Sequence, residues 1–329
     1  MQLYTKTEIK PFTEKIDHTQ AIFSIGSCFA ENMAGRLRSL KFNVTSSPTG
    51  ILFNPESIAL ALERLAAVAG GDESALPRRE ELLHDNGVWF NYDFHSSFSD
   101  VDADTALERM RRAVREGAEA LKRADTVIIT LGSAMTYQLK GSGQIVANCH
   151  KQPQRLFQRE LLDIEHIAER YIKLCTNLMA KKRVIFTISP IRHLSDGLEG
   201  NSLSKAILRV ALNKVMQHAD NVAYFPSYEI MIDELRDYRF YADDMAHPTS
   251  LAINYIWERF AQVAFSHDTS RLISRIEQLA TDVAHRPLNP TSEAHKRFCA
   301  KSLETINELE TEFPKLDFSE EKIHFSKYL

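Results

Sequence analysis

A serine that directly follows an apolar run is the first residue in this chain whose position suits chemistry. Ser27 stands between the apolar residues 21–25 and a segment at 28–40 whose apolar residues recur at helical spacing. A serine at such a junction lies at the carboxyl edge of the sheet, where open α/β folds bind ligands. The unpaired amides of the first helical turn favour an oxyanion there, as an acyl-transfer nucleophile requires. On this segment alone, the simpler interpretation is that Ser27 caps the helix, because serine is a favoured N-cap residue.

An aspartate three residues before a histidine gives the second signal. Asp244 and His247 precede another helical pattern near the end of the α/β part. Pro248 disfavours the helical conformation for His247 and therefore places the imidazole in an extended turn. From that turn the carboxylate of Asp244 can reach Nδ1 and orient the ring. The alternative is an acidic helix-capping turn with a solvent-exposed histidine. With Ser27, the order Ser, Asp, His makes a catalytic triad a usable hypothesis.

The elements that must position these residues alternate between strand and helix. Continuous apolar runs are typical of strands covered on both faces, as in a parallel sheet. Such runs occur at residues 21–25, 42–44, 126–131, 184–188 and 222–225. Between and after them, apolar stripes at helical spacing comprise Leu107, Met110, Val114, Ala118 and Leu121; Ile164, Ile167, Tyr171, Leu174, Cys175 and Leu178; Leu203, Ile207, Val210, Leu212 and Val215; and Leu251, Tyr255 and Phe260. This alternation predicts an α/β fold, a doubly wound, mostly parallel sheet in a three-layer sandwich.

Two parts of the chain depart from the alternation. Residues 84–104 are rich in aromatic side chains and predict a loop or short hairpin at the sheet's edge, which either shapes a pocket or packs into a satellite core. After a proline-containing break at 287–290, a charged helical segment is predicted from Ser292 to about Glu312. We place the α/β domain at residues 1–266 and a helical C-terminal extension at 267–329, packed on the main domain or on a second subunit.

Composition excludes several classes of function. The 329 residues are 44% apolar and 26% charged, with a net charge of −4, which is ordinary for a globular protein and gives no nucleic-acid footprint. No run is apolar enough to span a membrane, and the first ten residues lack a signal-peptide core. We therefore expect a cytoplasmic protein, with a trimmed leader as the alternative. Four scattered cysteines without ligand spacing predict reduced thiols and no metal site. A homo-oligomer is left open.

The run GSCFA at residues 26–30 is the signature that names the GSCFA-domain proteins, and the chain is similar to them over at least residues 20–262. Those proteins resemble the SGNH (GDSL-type) hydrolases. The resemblance implies that Ser27 is the nucleophile, His247 the general base and Asp244 its orienting partner. It implies neither a metal nor an organic cofactor.

The same resemblance identifies donors for the oxyanion and one departure from the pattern. SGNH proteins use a glycine amide, here Gly50, and an asparagine after a further strand. In this chain the corresponding loop begins at Gly132, and Ala134 replaces the asparagine. Loss of one donor typically costs about 10²–10³ in turnover, so another side chain is expected to substitute. The polar candidates near predicted loops are Asn54, His95, Tyr137 and Asn148. Gly26 also replaces the aspartate that precedes the serine in GDS-type members.

Other residues at predicted strand ends also suggest chemistry. Arg192 can hold a carboxylate or phosphate and His193 can line the pocket, although a surface turn explains both equally well. Cys28 is a rival nucleophile, because a helix N-terminus lowers the pKa of a thiol. Cys149 and His150 are adjacent in sequence and are not expected to face each other.

The combined expectation is a serine enzyme that forms an acyl-enzyme. It hydrolyses a small-molecule ester, with an O-acetyl carbohydrate as one form, or transfers the acyl group to another hydroxyl. Trp89 and Tyr92 can offer surfaces for sugar stacking. The alternative is a non-catalytic binding module on an SGNH-like fold, which the missing asparagine and aspartate motivate.

Overall fold

The computed structural model describes residues 5–329. Within them the strands are β1 Ala21–Gly26, β2 Asn43–Ser46, β3 Leu83–Asp85, β4 Val88–Phe90, β5 Thr126–Leu131, β6 Met135–Leu139, β7 Ile145–Val146, β8 Phe157–Leu161, β9 Arg183–Ile188 and β10 Val222–Phe225. The helices are α1 Cys28–Ser39, α2 Pro55–Ala69, α3 Ala103–Arg123, α4 Ile164–Lys173, α5 Gly197–His218, α6 Ser227–Glu229, α7 Ser250–Ala264, α8 His267–Ala284, α9 Glu293–Glu312 and α10 Ser319–Ser326.

The central sheet has five strands in the order β10-β9-β5-β1-β2, all parallel. Numbered by their order along the chain, these strands are arranged 2-1-3-4-5, one of the common doubly wound orders. The chain moves outward from β1 to β2 and then reverses to β5, so the topological switch point lies between β1 and β5. The predicted doubly wound α/β fold with a helical appendage is confirmed.

Neighbouring residues on the three inner strands, β1, β5 and β9, belong to two separate cores. Phe23, Ile129 and Phe186 face the core that contains α2, α3, α4 and α5. The adjacent Ile22, Ile128 and Ile185 face the core that contains α1, α7 and the C-terminal helices. Both faces of these three strands are therefore buried, which explains why their runs are continuously apolar instead of alternating. The result is a three-layer sandwich.

Two of the four predicted helical stripes are correct, and two are wrong in part. The stripes on α3 and at 164–178 are buried almost throughout, with Cys175 fully buried. On α5, however, Leu203 and Val210 are about half exposed. The buried face of α5 carries Asn201, Ser204, Lys205, Leu208, Ala211, Leu212 and Val215. On α7, Leu251 is likewise exposed, and the buried face runs through Ala252, Ile256, Trp257, Phe260 and Val263. On these two helices, several of the apolar residues at loose helical spacing do not lie on the buried face.

The aromatic segment at 84–104 contains the antiparallel hairpin β3–β4, as one predicted alternative had it. Two of its aromatic side chains, Phe90 and Tyr92, form a satellite core with Val146 and Phe157, whereas Phe94 belongs to the main core. The loop that contains His150 is anchored to this segment, because Nε2 of His150 lies 2.9 Å from the carbonyl oxygen of Asn91. The segment therefore packs its aromatic side chains into the protein, and Tyr92 is buried by this packing.

The C-terminal helices α8, α9 and α10 pack on the main domain. Their buried side chains, including Leu272, Cys299 and Phe325, belong to the same core as Phe29 of α1 and Phe260 of α7. Ion pairs at the surface join the two parts, such as the 2.7 Å contact between Arg36 and Glu277. Of the two predicted partners for this extension, the structure shows the main domain. Within residues 5–329, no helix combines the length and apolarity that crossing a membrane requires.

Candidate functional site

Ser27 lies at the switch point, between the end of β1 and the start of α1. Its amide donates to the carbonyl oxygen of Thr130 on β5 at 3.2 Å. Its Oγ accepts from the amide of Phe29 at 3.3 Å, so the residue caps α1. The side chain is only 1% exposed. The helix-cap interpretation is therefore correct for this conformation, and the hydroxyl lies where first-turn amides converge.

Gly26 allows the sheet to close tightly beneath Ser27. Its φ is +140°, a conformation that residues with a side chain rarely adopt. A Cβ on Gly26 would also lie 2.2 Å from the carbonyl oxygen of Thr130. Only glycine fits here, which is the physical reason for the first letter of the GSCFA run.

Asp244 and His247 form a hydrogen-bonded pair in the turn before α7. Nδ1 of His247 lies 2.6 Å from Oδ2 of Asp244. Oδ1 of Asp244 accepts from the amides of His247 at 2.9 Å and of Ala246 at 3.0 Å. These two backbone hydrogen bonds, assisted by the imidazole, lower the pKa of Asp244 to about 2. The carboxylate is thus ionised at neutral pH and able to hold the ring through Nδ1, leaving Nε2 for another partner.

The structure does not bring Ser27 and His247 into hydrogen-bond contact. Among residues 5–329, the hydrogen bond of Ser27 Oγ is the one from Phe29, and that of the His247 ring is the one to Asp244. The His247 side chain is 48% exposed, whereas Ser27 is buried. Catalytic hydrogen bonds are often long in the absence of substrate. Direct contact would require the Ser27 hydroxyl to leave its capping position.

The two glycines expected to contribute to the oxyanion site have their amides occupied. The Gly50 amide donates to the carbonyl oxygen of Ser47 at 2.8 Å, within a turn. Its φ of +90° and its close packing against His95 require glycine for structural reasons. The Gly132 amide donates to the carbonyl oxygen of Phe53, also at 2.8 Å. In this conformation neither amide is available to a ligand.

Three of the polar candidates support local structure and make no hydrogen bond with Ser27 among residues 5–329. Asn54 caps α2, its Oδ1 accepting from the amide of Ser57 at 2.8 Å. The side chain of His95 caps a short helical turn at Ser96–Phe98. Tyr137 lies on β6, with its ring packed against Phe157. The fourth candidate, Asn148, accepts the amide of His150 through its side chain and so shapes its own loop.

The segment after β9 contacts the Asp244–His247 turn, as its position at the carboxyl edge predicts. The amide of Arg192 donates to the carbonyl oxygen of Ala246 at 3.1 Å. The guanidinium of Arg192 stacks over the ring of Tyr241, 3.8 Å from its centroid. His193 is largely buried beside Gly132 and Phe53. Arg192 and His193 therefore belong to the same edge of the sheet as Ser27 and His247.

Lys205, on the buried face of α5, is the residue at this edge that sequence reasoning missed. Its fully buried Nζ donates to the carbonyl oxygens of Gly132 at 2.6 Å and Ser189 at 2.8 Å. Burial lowers the pKa of this ammonium to about 7. Two other side chains of α5 also bind backbone groups of these loops. Ser204 Oγ accepts from the amide of Ala134, and Asn201 Oδ1 accepts from the amide of His193. The signal was available in the sequence: polar residues at 201, 204 and 205 continue the helical spacing of Leu208 and Leu212.

Cys28 does not have the lowered pKa that its place at a helix N-terminus predicted. Burial raises the pKa of its thiol, outweighing the backbone hydrogen bond that acts in the opposite direction. Burial likewise raises the pKa of Cys149 to about 11. Neither thiol is activated as a nucleophile in this structure. Within residues 5–329, no group of three or more His, Cys, Asp or Glu side chains is arranged to hold a metal ion.

Fold and site together define a three-layer α/β protein with a helix-capping serine at the topological switch point and an Asp–His pair in a turn at the same edge. The model of the GSCFA family matches residues 21–260, and that of the GSCFA domain protein, C-terminal domain, matches residues 276–329. The chain therefore belongs to the GSCFA family. No curated protein matches it significantly.

Proposed function

We propose that this protein is a serine esterase or acyltransferase of the SGNH type, with Ser27, His247 and Asp244 as its triad. The observation that carries the proposal is the 2.6 Å contact between Asp244 Oδ2 and His247 Nδ1. An ionised carboxylate behind Nδ1 fixes the tautomer in which Nε2 can accept a proton. Ser27 adds a hydroxyl at a helix N-terminus, where negative charge is stabilised.

In the first half-reaction, Ser27 Oγ leaves its capping position and attacks the carbonyl carbon of the ester. His247 Nε2 takes the hydroxyl proton, and negative charge develops on the carbonyl oxygen. As the tetrahedral intermediate collapses, the C–O bond to the alcohol breaks and His247 protonates the departing alcohol oxygen. The acyl group is then bonded to Ser27.

In the second half-reaction, His247 takes a proton from water or from an acceptor hydroxyl, which attacks the acyl-enzyme. The bond to Ser27 Oγ breaks and the serine recovers its proton. Water gives hydrolysis and a second alcohol gives acyl transfer. A small-molecule ester, with an O-acetyl carbohydrate as one form, is the proposed substrate. The buried position of Tyr92 does not support a role in sugar stacking, so Trp89 alone is kept for it.

The active-site test combines a fluorophosphonate probe with short p-nitrophenyl esters. Wild type should be labelled at Ser27 and should turn over ester. Ser27→Ala should abolish both, and His247→Ala should nearly abolish them. Asp244→Asn should reduce turnover by about 10²–10⁴-fold, because the imidazole loses its orienting carboxylate. Cys28→Ala is the matched control and should keep full labelling.

A non-catalytic binding module is the second candidate. Two observations favour it: the amides of Gly50 and Gly132 are occupied, and Ser27 and His247 share no hydrogen bond among the described residues. Wild-type protein that is neither labelled nor active on esters would support this alternative. Labelling that persists in Ser27→Ala but disappears in Cys28→Ala would identify the Cys28 thiol as the nucleophile.

A further inference from the structure

The backbone amides of the loop after β5 are committed to protein acceptors. Those of Gly132 and Ser133 donate to the carbonyl oxygen of Phe53, at 2.8 and 3.1 Å. The amide of Ala134 donates to Ser204 Oγ at 2.7 Å. The loop after β5 therefore offers no free backbone donor in this conformation. A side-chain donor at this edge would replace the contribution that this loop does not make to an oxyanion.

His193 is a side chain at this edge whose ring nitrogens make no hydrogen bond with the described residues, and it lies against the loop after β5. A Cβ placed on Gly132 would lie 3.3 Å from Nε2 of His193, so the imidazole directly covers the end of β5. The ring packs edge-on to Phe53, with centroids 5.8 Å apart. Within residues 5–329, neither ring nitrogen makes a hydrogen bond, although the backbone amide of His193 is held by Asn201. The imidazole is fixed in position while its polar atoms remain available.

Burial and the neighbouring charges keep the ring of His193 neutral. Burial, the largest influence, and the ammonium of Lys205 together bring the pKa of the imidazole to about 4. His247 acts in the same direction, whereas Asp196 opposes them. A neutral imidazole carries one N–H, which can donate without first having to lose or gain a proton. Lys205 also holds the carbonyl oxygens of Gly132 and Ser189, which fixes the two loops that meet at His193.

We propose that His193 donates the side-chain hydrogen bond to the oxyanion that forms when Ser27 attacks its ester. This proposal rests on the proposed function. His193 is thereby a catalytic residue that stabilises charge and neither forms a covalent bond nor transfers a proton. Its place beside Gly132 supplies the donor that the backbone of the loop after β5 does not provide.

The test compares two substitutions at this position with p-nitrophenyl acetate as the probe. His193→Phe keeps a ring against Phe53 but has no donor. It should lower kcat by about 10²–10³-fold while changing KM by less than about threefold, because the hydrogen bond forms only in the transition state. His193→Gln carries a donor amide and should recover at least about tenfold of the lost kcat. His84→Phe, on the exposed hairpin strand β3, is the matched control and should keep the wild-type kcat.

Several results would overturn the proposal, and they are distinguishable. If wild-type turnover depends on Ser27 but His193→Phe retains kcat within about threefold, the role of His193 is wrong and the proposed function stands. If His193→Gln is as slow as His193→Phe while both variants melt like wild type, the loss is not that of a donor. If wild type shows no Ser27-dependent turnover, the proposed function and the role of His193 fail together.

Discussion

Replacing Lys205 by methionine removes a buried charge while nearly preserving the length of the side chain. In the folded protein burial moves the pKa of this ammonium from 10.5 to about 7. The unfolded chain therefore binds more protons than the folded one between these two values. Stability contributed by this group rises with pH across that window and is lost as pH falls towards 7.

The magnitude follows from the two pKa values. Integrating the difference in bound protons from pH 7 to pH 9 gives a gain of about 2 kcal/mol in the free energy of unfolding. Other buried groups, such as the phenol of Tyr171, titrate in both proteins and cancel in the comparison. The stability of wild type minus that of Lys205→Met should thus become more positive by about 2 kcal/mol between these pH values.

Urea unfolding followed by circular dichroism at pH 7, 8 and 9 measures this difference. Lys181→Met is the control, because Lys181 is exposed near the end of β9 that is remote from Ser27, and its difference from wild type should stay constant. A difference for Lys205→Met that does not change with pH would refute the reasoning. It would mean that burial does not lower the pKa of the Lys205 ammonium in the folded protein.

Two further substitutions test the glycines at this edge. Gly26→Ala should prevent folding or destabilise the protein by more than about 3 kcal/mol, because its Cβ would lie 2.2 Å from the carbonyl oxygen of Thr130 at a φ of +140°. Thermal melting measures this loss. The control is Gly35→Ala, which has open space around its Cβ in α1 and should stabilise the protein by up to about 1 kcal/mol. Gly132→Ala should lower ester turnover by about tenfold or more, because its Cβ would lie 3.0 Å from the carbonyl oxygen of Phe53 and 3.3 Å from Nε2 of His193, and these neighbours would have to shift. Unchanged turnover in a folded Gly132→Ala protein would contradict the placement of His193.

The fold was predictable because its inner strands β1, β5 and β9 are buried on both faces. Such strands appear in the sequence as short apolar runs, and each of the five central strands overlaps one of the predicted runs. The buried face of α5 was not predictable by the same means. Asn201, Ser204 and Lys205 are buried because they bind backbone groups of loops after β5 and β9. Those partners lie far away along the chain, and an apolar pattern carries no information about them.

The site was predictable in its components but not in its connections. The spacing of Asp244 and His247 gave their contact, because three residues within one turn leave few alternatives. The spacing did not reveal that the amides of Gly50 and Gly132 serve the loops themselves. Nor did the helix N-terminus reveal the pKa of Cys28, because burial outweighs the local backbone effect. Tertiary packing decided each of these features.

The capping position of Ser27 and its proposed role as nucleophile are compatible, and the energies show why. A serine cap stabilises a helix by about 1 kcal/mol, and the 3.3 Å contact with Phe29 is long for such a bond. Moving Oγ away from the cap therefore costs far less than the barrier that acyl transfer must lower. Under the proposed mechanism, the same movement also frees the amide of Phe29, which becomes a backbone donor at the helix N-terminus as the oxyanion forms. The cap would then keep the Ser27 hydroxyl and the Phe29 amide hydrogen-bonded to each other until substrate binds.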